Sequence, residues 1–458
     1  MSDESVRELL IEAANRAAAY LEGLREREVG PLQGAIERLT DALDVCLPDE
    51  STNAAEVLAF LDTYGSPATV ASAGGRYFGF VTGGALPVTV ATQYIAAGWD
   101  QNCMSFVASP AVACFEASAL RWVKEALGLP SSSEGALVTG ATMANFTCLA
   151  AARNQILGKH GWDADRRGLF GAPPITVVLG DEAHASLYKV VSMLGIGRDR
   201  VLRVPTDTQG RMRADRLPPI DGPVIVCLQA GNVNTGAFDP ADEIIAWAHD
   251  HGAWAHVDGA FGLWALALPE VAAGLRAFLD ADSWATDAHK WLNVPYDSGI
   301  ALVRDREALV RAMSISGSYL MLADGRRDAI NLGPDSSRRA RALEVWAALK
   351  CLGRSGLTDL VMRNCRQARE MADKLTRAGI EILNEVALNQ VVVAFEDDAR
   401  TKQVIAKVQD RGACWCGGTT WRGRAAMRIS VSSWATTDED IECSAAAIVE
   451  AYRSLRQP

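Results

Sequence analysis

The sequence predicts an α/β protein, with a large domain on a mainly parallel sheet, an N-terminal helical arm before it and a small α+β domain after it. Three observations carry that prediction. From about residue 110, short apolar strand-like runs alternate with helix-periodic stretches, which is the pattern of a parallel sheet covered on both faces. The first seventy or so residues hold apolar residues at helical spacing and need something larger to dock on. After Arg338 a long helical run leads into strands interleaved with one helix, as in a smaller C-terminal domain.

The elements follow in order. Residues 5–24 and 31–46 read as helices, and AGGRYFGFVTGG at 73–84 breaks the helical pattern. A helical run, EASALRWVKEALGL, precedes a strand at 136–139, and MANFTCLAAARNQIL follows it as a helix. Further strands are expected at 175–179, 224–228, 253–257, 283–286 and 299–303. Residues 314–337 form a polar, loop-like interval, and the helix from Arg338 runs to about Ala378. ILNEV, NQVVVAF and AAMRISVS read as strands around a helix near 401–411. The expected division is 1–85, an N-terminal helical arm, 86–350 and 351–458.

Composition excludes several classes. With 458 residues, 49% of them hydrophobic and 22% charged, the chain is long enough for two or three domains and is not disordered, collagen-like or a small disulfide scaffold. A net charge of −11 with no long Lys/Arg run argues against nucleic acid or an anionic membrane as partner. The start, MSDESVRELLIEAANRAAAYLEG, lacks a basic region followed by an apolar core, so a cytoplasmic location is expected. Ten cysteines lie mostly inside apolar segments and read as buried thiols in a reducing compartment. Cys414 and Cys416 are close together, but C-x-C without a second Cys/His pair reads as packing, and no metal is expected.

The chemistry concentrates at the ends of the expected strands. DAHKW at 287–291 follows an apolar strand, at the sheet edge where α/β proteins bind ligands. Lys290 is there a candidate Schiff-base lysine, although a lone lysine after a strand is commonly a solvated surface residue. Asp258, in HVDGAFG, ends another strand, and a carboxylate buried at a strand end needs a cationic partner. A protonated pyridine nitrogen is such a partner, so Lys290 and Asp258 together supply the two groups that pyridoxal phosphate requires; a helix-capping aspartate is the plainer alternative for Asp258. VTGATMAN at 138–145 offers a helix N-terminus for the phosphate, where Gly140 and Ala141 allow close approach and Thr142 brings a hydroxyl, though an ordinary Thr cap would read the same. His184, in DEAHASLYK after another strand, could stack on the cofactor ring, while His249, His251 and His256 have no metal-ligand spacing.

These motifs, with RYFGFVTGG, ASPA, GNVNTGAFD and RRARALEVWAALKCLG in the same order, make the sequence similar to the group II pyridoxal-phosphate decarboxylases, relatives of the aromatic amino acid and glutamate decarboxylases. The resemblance implies the fold-type I architecture of pyridoxal-phosphate-dependent transferases and pyridoxal 5'-phosphate as cofactor. It implies Lys290 as the Schiff-base residue, Asp258 against the pyridine nitrogen, His184 stacked on the ring, and Ala141 and Thr142 at the phosphate. Asn234 would lie near the phenolic oxygen or the substrate carboxylate, Ala260 would pack under the ring, and His289 would join the cofactor-binding set. Family members are dimers with shared active sites, and residues 1–70 fit the embracing arm. The expected reaction is loss of CO₂ from an amino acid.

One departure stands out. The loop before the RR-x-R helix carries a protonating tyrosine in family decarboxylases, and counting back from Arg338 and Arg339 puts that position here near Ala329. The tyrosine of this interval is Tyr319, at its beginning, which leaves Tyr319 or His184 to relay the proton. A longer-lived intermediate would also permit Cα–Cβ cleavage by an aldehyde lyase, decarboxylative oxidative deamination or, with Arg428 for the substrate carboxylate, transamination. Tyr77, Phe78, Phe80, Trp99 and Phe106 lie in segments that line the pocket in relatives, which points to an aromatic or apolar substrate side chain.

Overall fold

The computed structural model describes residues 5–315 and 325–456. They form two compact units, one of residues 83–369 and 384–391, the other of residues 1–82, 370–383 and 392–458 with its described part as given.

The first unit is built on a seven-stranded sheet. Its strands are β1 (Glu134–Val138), β2 (Thr176–Gly180), β3 (Val201–Val204), β4 (Val224–Gln229), β5 (Trp254–Asp258), β6 (Ser283–Asp287) and β7 (Gly299–Val303), in the spatial order β1-β7-β6-β5-β4-β2-β3. The five strands from β3 to β6 run parallel, β7 is antiparallel to β6, and β1 is antiparallel to β7. β1 therefore points the same way as the parallel set, and all six of these strands end at one edge. Residues of β4, β5, β6 and β7 are buried throughout, which is why they read as unbroken apolar runs rather than as alternating ones.

Helices cover the sheet. The helix Ala141–Lys159 packs on β6 and β7 through Cys148, Leu149 and Ile156 and beside the helix Arg306–Met313, in a core shared with Val177, Leu179, Ile225 and Ala301. The helix that opens at Arg341 is broken at Gly353, whose φ of 60° is left-handed, and continues to Arg377. The polar interval before it is tied down from Gly325 onward: Arg327 pairs with Glu116 and Glu134, Arg338 lies 3.1 Å from Glu116, and the Ile330 N–H donates to Met104 O at 2.8 Å.

The other unit holds a four-stranded sheet of β8 (Glu381–Ile382), β9 (Gln390–Ala394), β10 (Gly417–Trp421) and β11 (Arg424–Ser430), ordered β10-β11-β9-β8, with helices Asp398–Asp410 and Asp438–Ser454. Its N-terminal part supplies the helices Val6–Gly23, Ala35–Leu43 and Ala54–Phe60. Ser5 and Glu8 close a capping box on the first, yet that helix buries none of its residues, and Val6, Leu10 and Ile11 are all more than half exposed. All ten cysteines are free; six are buried, but Cys46, Cys114, Cys351 and Cys443 are exposed, so the expectation of buried thiols holds for only part of the set. Among the described residues no helix is long and apolar enough to cross a membrane, and no His/Cys/Asp/Glu group has the arrangement of a metal site.

Candidate active site

The cofactor-site residues expected from the sequence that are described in the first unit sit at the edge where its parallel strands end. β5 ends on Asp258, β6 on Asp287, and Lys290 follows β6 in the loop that returns as β7. That loop is folded on itself: the Ala288 and His289 N–H groups donate to Ser298 O at 3.0 and 3.1 Å, and the Ser298 N–H donates to His289 Nδ1 at 3.0 Å. With Nδ1 accepting, the proton of neutral His289 is on Nε2. Burial holds the His289 pKa below its ordinary value, against the pull of Asp287.

Asp258 is 6% exposed, and its hydrogen-bond partner is the Ala260 N–H at 3.3 Å. No cation lies within ion-pair distance of it among the described residues. Burial raises its pKa, with the charges of His184 and Lys290 acting in the opposite sense. A carboxylate this buried and without a paired cation fits a protonated pyridine nitrogen. Ala260 bridges the two strand ends, since its carbonyl accepts the Asp287 N–H at 2.9 Å.

The helix after β1 starts at Ala141, where Gly140 is fully extended and brings no capping side chain. The cap comes instead from across the sheet: the Ala141 N–H donates to Asp287 Oδ1 at 2.6 Å. A Cβ on Gly140 would stand 3.2 Å from His289 Cε1, and one on Gly299 would stand 2.5 Å from Gly140 Cα. Bare backbone, a helix N-terminus and the His289 N–H thus form a cradle of the kind that takes a phosphate. Thr142, half-buried, is the second residue of that helix.

His184 caps the helix Ala185–Met193, its Nδ1 accepting the Ser186 N–H at 3.2 Å, which puts the ring proton on Nε2. Asn234 lies in the tight loop after β4, where Asn232 Oδ1 accepts the N–H groups of Asn234 and Thr235 at 2.9 and 3.2 Å. The same edge thus gathers Lys290, Asp258, His289, Ala260, Ala141, Thr142, His184 and Asn234.

Other expectations fare differently. Tyr319 lies outside the described residues. Ala329 is 6% exposed in a short turn, Ala329–Asn331. Phe78 is 1% exposed and belongs to the core of its unit, and Tyr77 stacks on Trp415 with ring centroids 5.0 Å apart. Phe80 and Trp99 are exposed, and Phe106 carries Arg326 over its ring. Arg428 is on β11, where burial lowers its pKa.

Three residues went unnoticed in the sequence. Asp287 stands in the quoted motif, and the signal was its place as the last residue of a strand, the same place that singled out Asp258. Gly83 packs against the lysine loop so closely that a Cβ would fall 1.6 Å from Lys290 O. Tyr296 stacks on His289 with centroids 4.2 Å apart, a contact no local pattern announces.

Comparison with known proteins agrees with this arrangement. Residues 70–396 match the pyridoxal-dependent decarboxylase conserved domain. The chain is 25% identical to the aromatic-L-amino-acid decarboxylase of Bacillus atrophaeus over 96% of its own length and 94% of that protein's. It is 30% identical to the acidic amino acid decarboxylase GADL1 of Mus musculus over 68% of this chain and 58% of that one. The fold matches that of Oryza sativa TDC, solved with PLP and tryptamine, at a TM-score of 0.91 and 21% identity, covering 100% of this chain and 99% of that one. The extent of these matches settles the family: the chain belongs to the pyridoxal-dependent decarboxylases, enzymes that use pyridoxal phosphate to take CO₂ from an amino acid.

Proposed function

We propose that this decarboxylase acts on an amino acid with an aromatic or apolar side chain, carries its cofactor on Lys290 and works as a homodimer in the cytoplasm. The observation that carries the substrate reading is Tyr296, whose ring lies on His289, the neighbour of Lys290, and is 57% exposed. An exposed aromatic surface beside the reacting lysine favours a flat or apolar side chain over a charged one. Similarity to an aromatic-L-amino-acid decarboxylase over nearly the full chain supports the same class.

Bound pyridoxal phosphate supplies an electron sink that takes up the pair left at Cα when CO₂ departs. The protein's part is positional and electrostatic. Asp258 holds a proton at the pyridine nitrogen, and its burial strengthens that hold by excluding water. The Ala141 N–H, Thr142 and His289 Nε2–H would anchor the phosphate. His184 and Ala260 would hold the ring. Asn234 would serve the phenolic oxygen or the substrate carboxylate. Lys290 Nζ would carry the cofactor. Proton return to Cα falls to His184, with its hydrogen on Nε2, or to Tyr319.

Dimerisation is supported by the N-terminal helix Val6–Gly23, which buries no residue within its own unit and exposes Val6, Leu10 and Ile11.

Incubation of the purified protein with the twenty amino acids and several β-hydroxy amino acids, with CO₂, amine, aldehyde, ammonia and H₂O₂ measured separately, tests the reaction. CO₂ and amine from phenylalanine, tyrosine or tryptophan are expected. CO₂ from glutamate or aspartate alone would overturn the substrate class. Aldehyde with ammonia, or amino-group transfer, would identify the oxidative, aldehyde-lyase or aminotransferase alternatives that the displaced loop tyrosine leaves open. Borohydride reduction followed by peptide mapping should place the cofactor on Lys290, and label on another lysine would remove Lys290 from that role.

A further inference from the structure

Three groups of the site converge on a single carboxylate. Asp287 Oδ1 accepts the Ala141 N–H at 2.6 Å and lies 3.5 Å from His289 Nε2, and Asp287 Oδ2 pairs with Lys290 Nζ at 3.0 Å. The carboxylate is 2% exposed and faces the bare Cα of Gly140, where a Cβ would come within 3.4 Å of Oδ1. Two of these donors are the ones that would hold the cofactor phosphate, and the third is the amine that would carry the cofactor.

We infer that Asp287 is an internal competitor of the cofactor phosphate: its carboxylate takes the Ala141 N–H and pairs with Lys290, so that loading is an exchange of one anion for another. The inference rests on Lys290 being the cofactor-bearing residue. A desolvated carboxylate needs compensating partners, and here a helix N-terminus and the Lys290 amine supply them, with the His289 ring 3.5 Å away. Asp287 opposes loading in two ways. An incoming phosphate meets a like charge at the helix terminus and must displace it. The lysine must also lose its ion pair and shed one proton to solvent before its free amine adds to the aldehyde carbon, with one water leaving as the C=N bond forms.

Direction of effect separates this role from simple support. If Asp287 only braced the loop, substitution would weaken cofactor binding. If it is the competing anion, Asp287→Asn should strengthen it, because the amide keeps a carbonyl oxygen for the Ala141 N–H and drops the charge.

The experiment compares wild type and Asp287→Asn, each stripped of cofactor, mixed with pyridoxal phosphate in a stopped-flow instrument and followed by the visible band and by tryptophan fluorescence. Loss of one buried like charge should make Asp287→Asn bind at least about tenfold more tightly and form the band at least about tenfold faster. Inorganic phosphate should slow loading of the variant at about tenfold lower concentration than it slows wild type, by the same loss of repulsion. Equal or weaker binding by a folded Asp287→Asn protein overturns the proposal. Should that variant not fold, Asp287→Ser makes the same comparison with the same criterion. Peptide mapping of the reduced product separates the two ideas: label on another lysine defeats the Lys290 reading, whereas label on Lys290 with unimproved loading defeats only the role given to Asp287.

Discussion

His256, inside β5, and Asn145, in the first turns of the helix after β1, are joined through His256 Nε2 and Asn145 Oδ1 at 2.8 Å, with both side chains wholly buried. The other ring nitrogen is 2.8 Å from Ser283 Oγ, which itself accepts the Trp254 Nε1–H at 2.8 Å. That order of donors makes Ser283 donate to Nδ1 and leaves the histidine neutral, its proton shared with Asn145.

Burial pushes the His256 pKa down to about 3 from its ordinary 6.5. The unfolded chain therefore binds a proton here that the folded one refuses, so this group's stability is intact above pH 6.5 and is lost as pH falls from there toward 3. At pH 5 the loss is about 2 kcal/mol, from a 1.5-unit gap at 1.36 kcal/mol per unit. His256→Gln should be less stable at pH 7, yet its urea midpoint should change less between pH 7 and 5 than that of wild type. Parallel pH profiles for the two proteins would show that His256 titrates normally.

Gly83→Ala should damage the site from a distance in sequence. The added methyl would overlap the Lys290 carbonyl, and a backbone atom cannot rotate out of the way as a side-chain end can. Overpacking of this kind costs about 1–3 kcal/mol and here is relieved only by moving the lysine loop. The expected result is a lowered thermal midpoint together with weakened cofactor retention, and unchanged retention would show that the loop has room to shift.

Asp258→Asn should fold and keep much of its cofactor while losing turnover by roughly 10²–10⁴-fold, the scale of positioned proton-holding groups. An amide removes the negative charge that favours a protonated ring nitrogen, without changing shape. Turnover within a factor of a few of wild type would take Asp258 out of that role.

Leu10→Lys with Ile11→Lys should convert a dimer to monomer at micromolar concentration, read by sedimentation velocity. Both positions are about half exposed on a helix that buries nothing in its own unit, so the folded unit itself should tolerate the change. An unchanged sedimentation coefficient would place the dimer contact elsewhere.

The sheet was legible where burial is two-sided: VIVCL, SWAT and GIALV are continuous apolar runs, and the strands Val224–Gln229, Ser283–Asp287 and Gly299–Val303 fall on them within a residue or so. β3 was missed because an edge strand, VLRV, exposes Leu202 and Arg203 and offers no such run. β10 was missed for a similar reason, since GGTTW is polar and begins with two glycines. Lys290, Asp258 and His184 were readable because each follows or ends a strand. Asp287 and Tyr296 act through contacts set by the loop's return and by the helix opposite, which spacing does not encode. Counting residues back from Arg338 does not reveal the turn that buries Ala329 and Ile330.

β1 occupies the sheet's last slot, paired with β7 alone in the strand order. The lysine loop closes over nine residues, from His289 to Ser298, whereas the cradle closes over 146, from Ala141 to Asp287. Chain-closure entropy makes the second event dearer by roughly 2.5 kcal/mol for those lengths, and it can be completed only when β7 is in place to receive β1. On a ribosome, a chain grown just past Lys290 would already carry its lysine and Asp258 but would have no partner strand to hold Gly140 against them. Cofactor capture should therefore wait until the sheet is whole, and a chain truncated before residue 299 should emerge colourless.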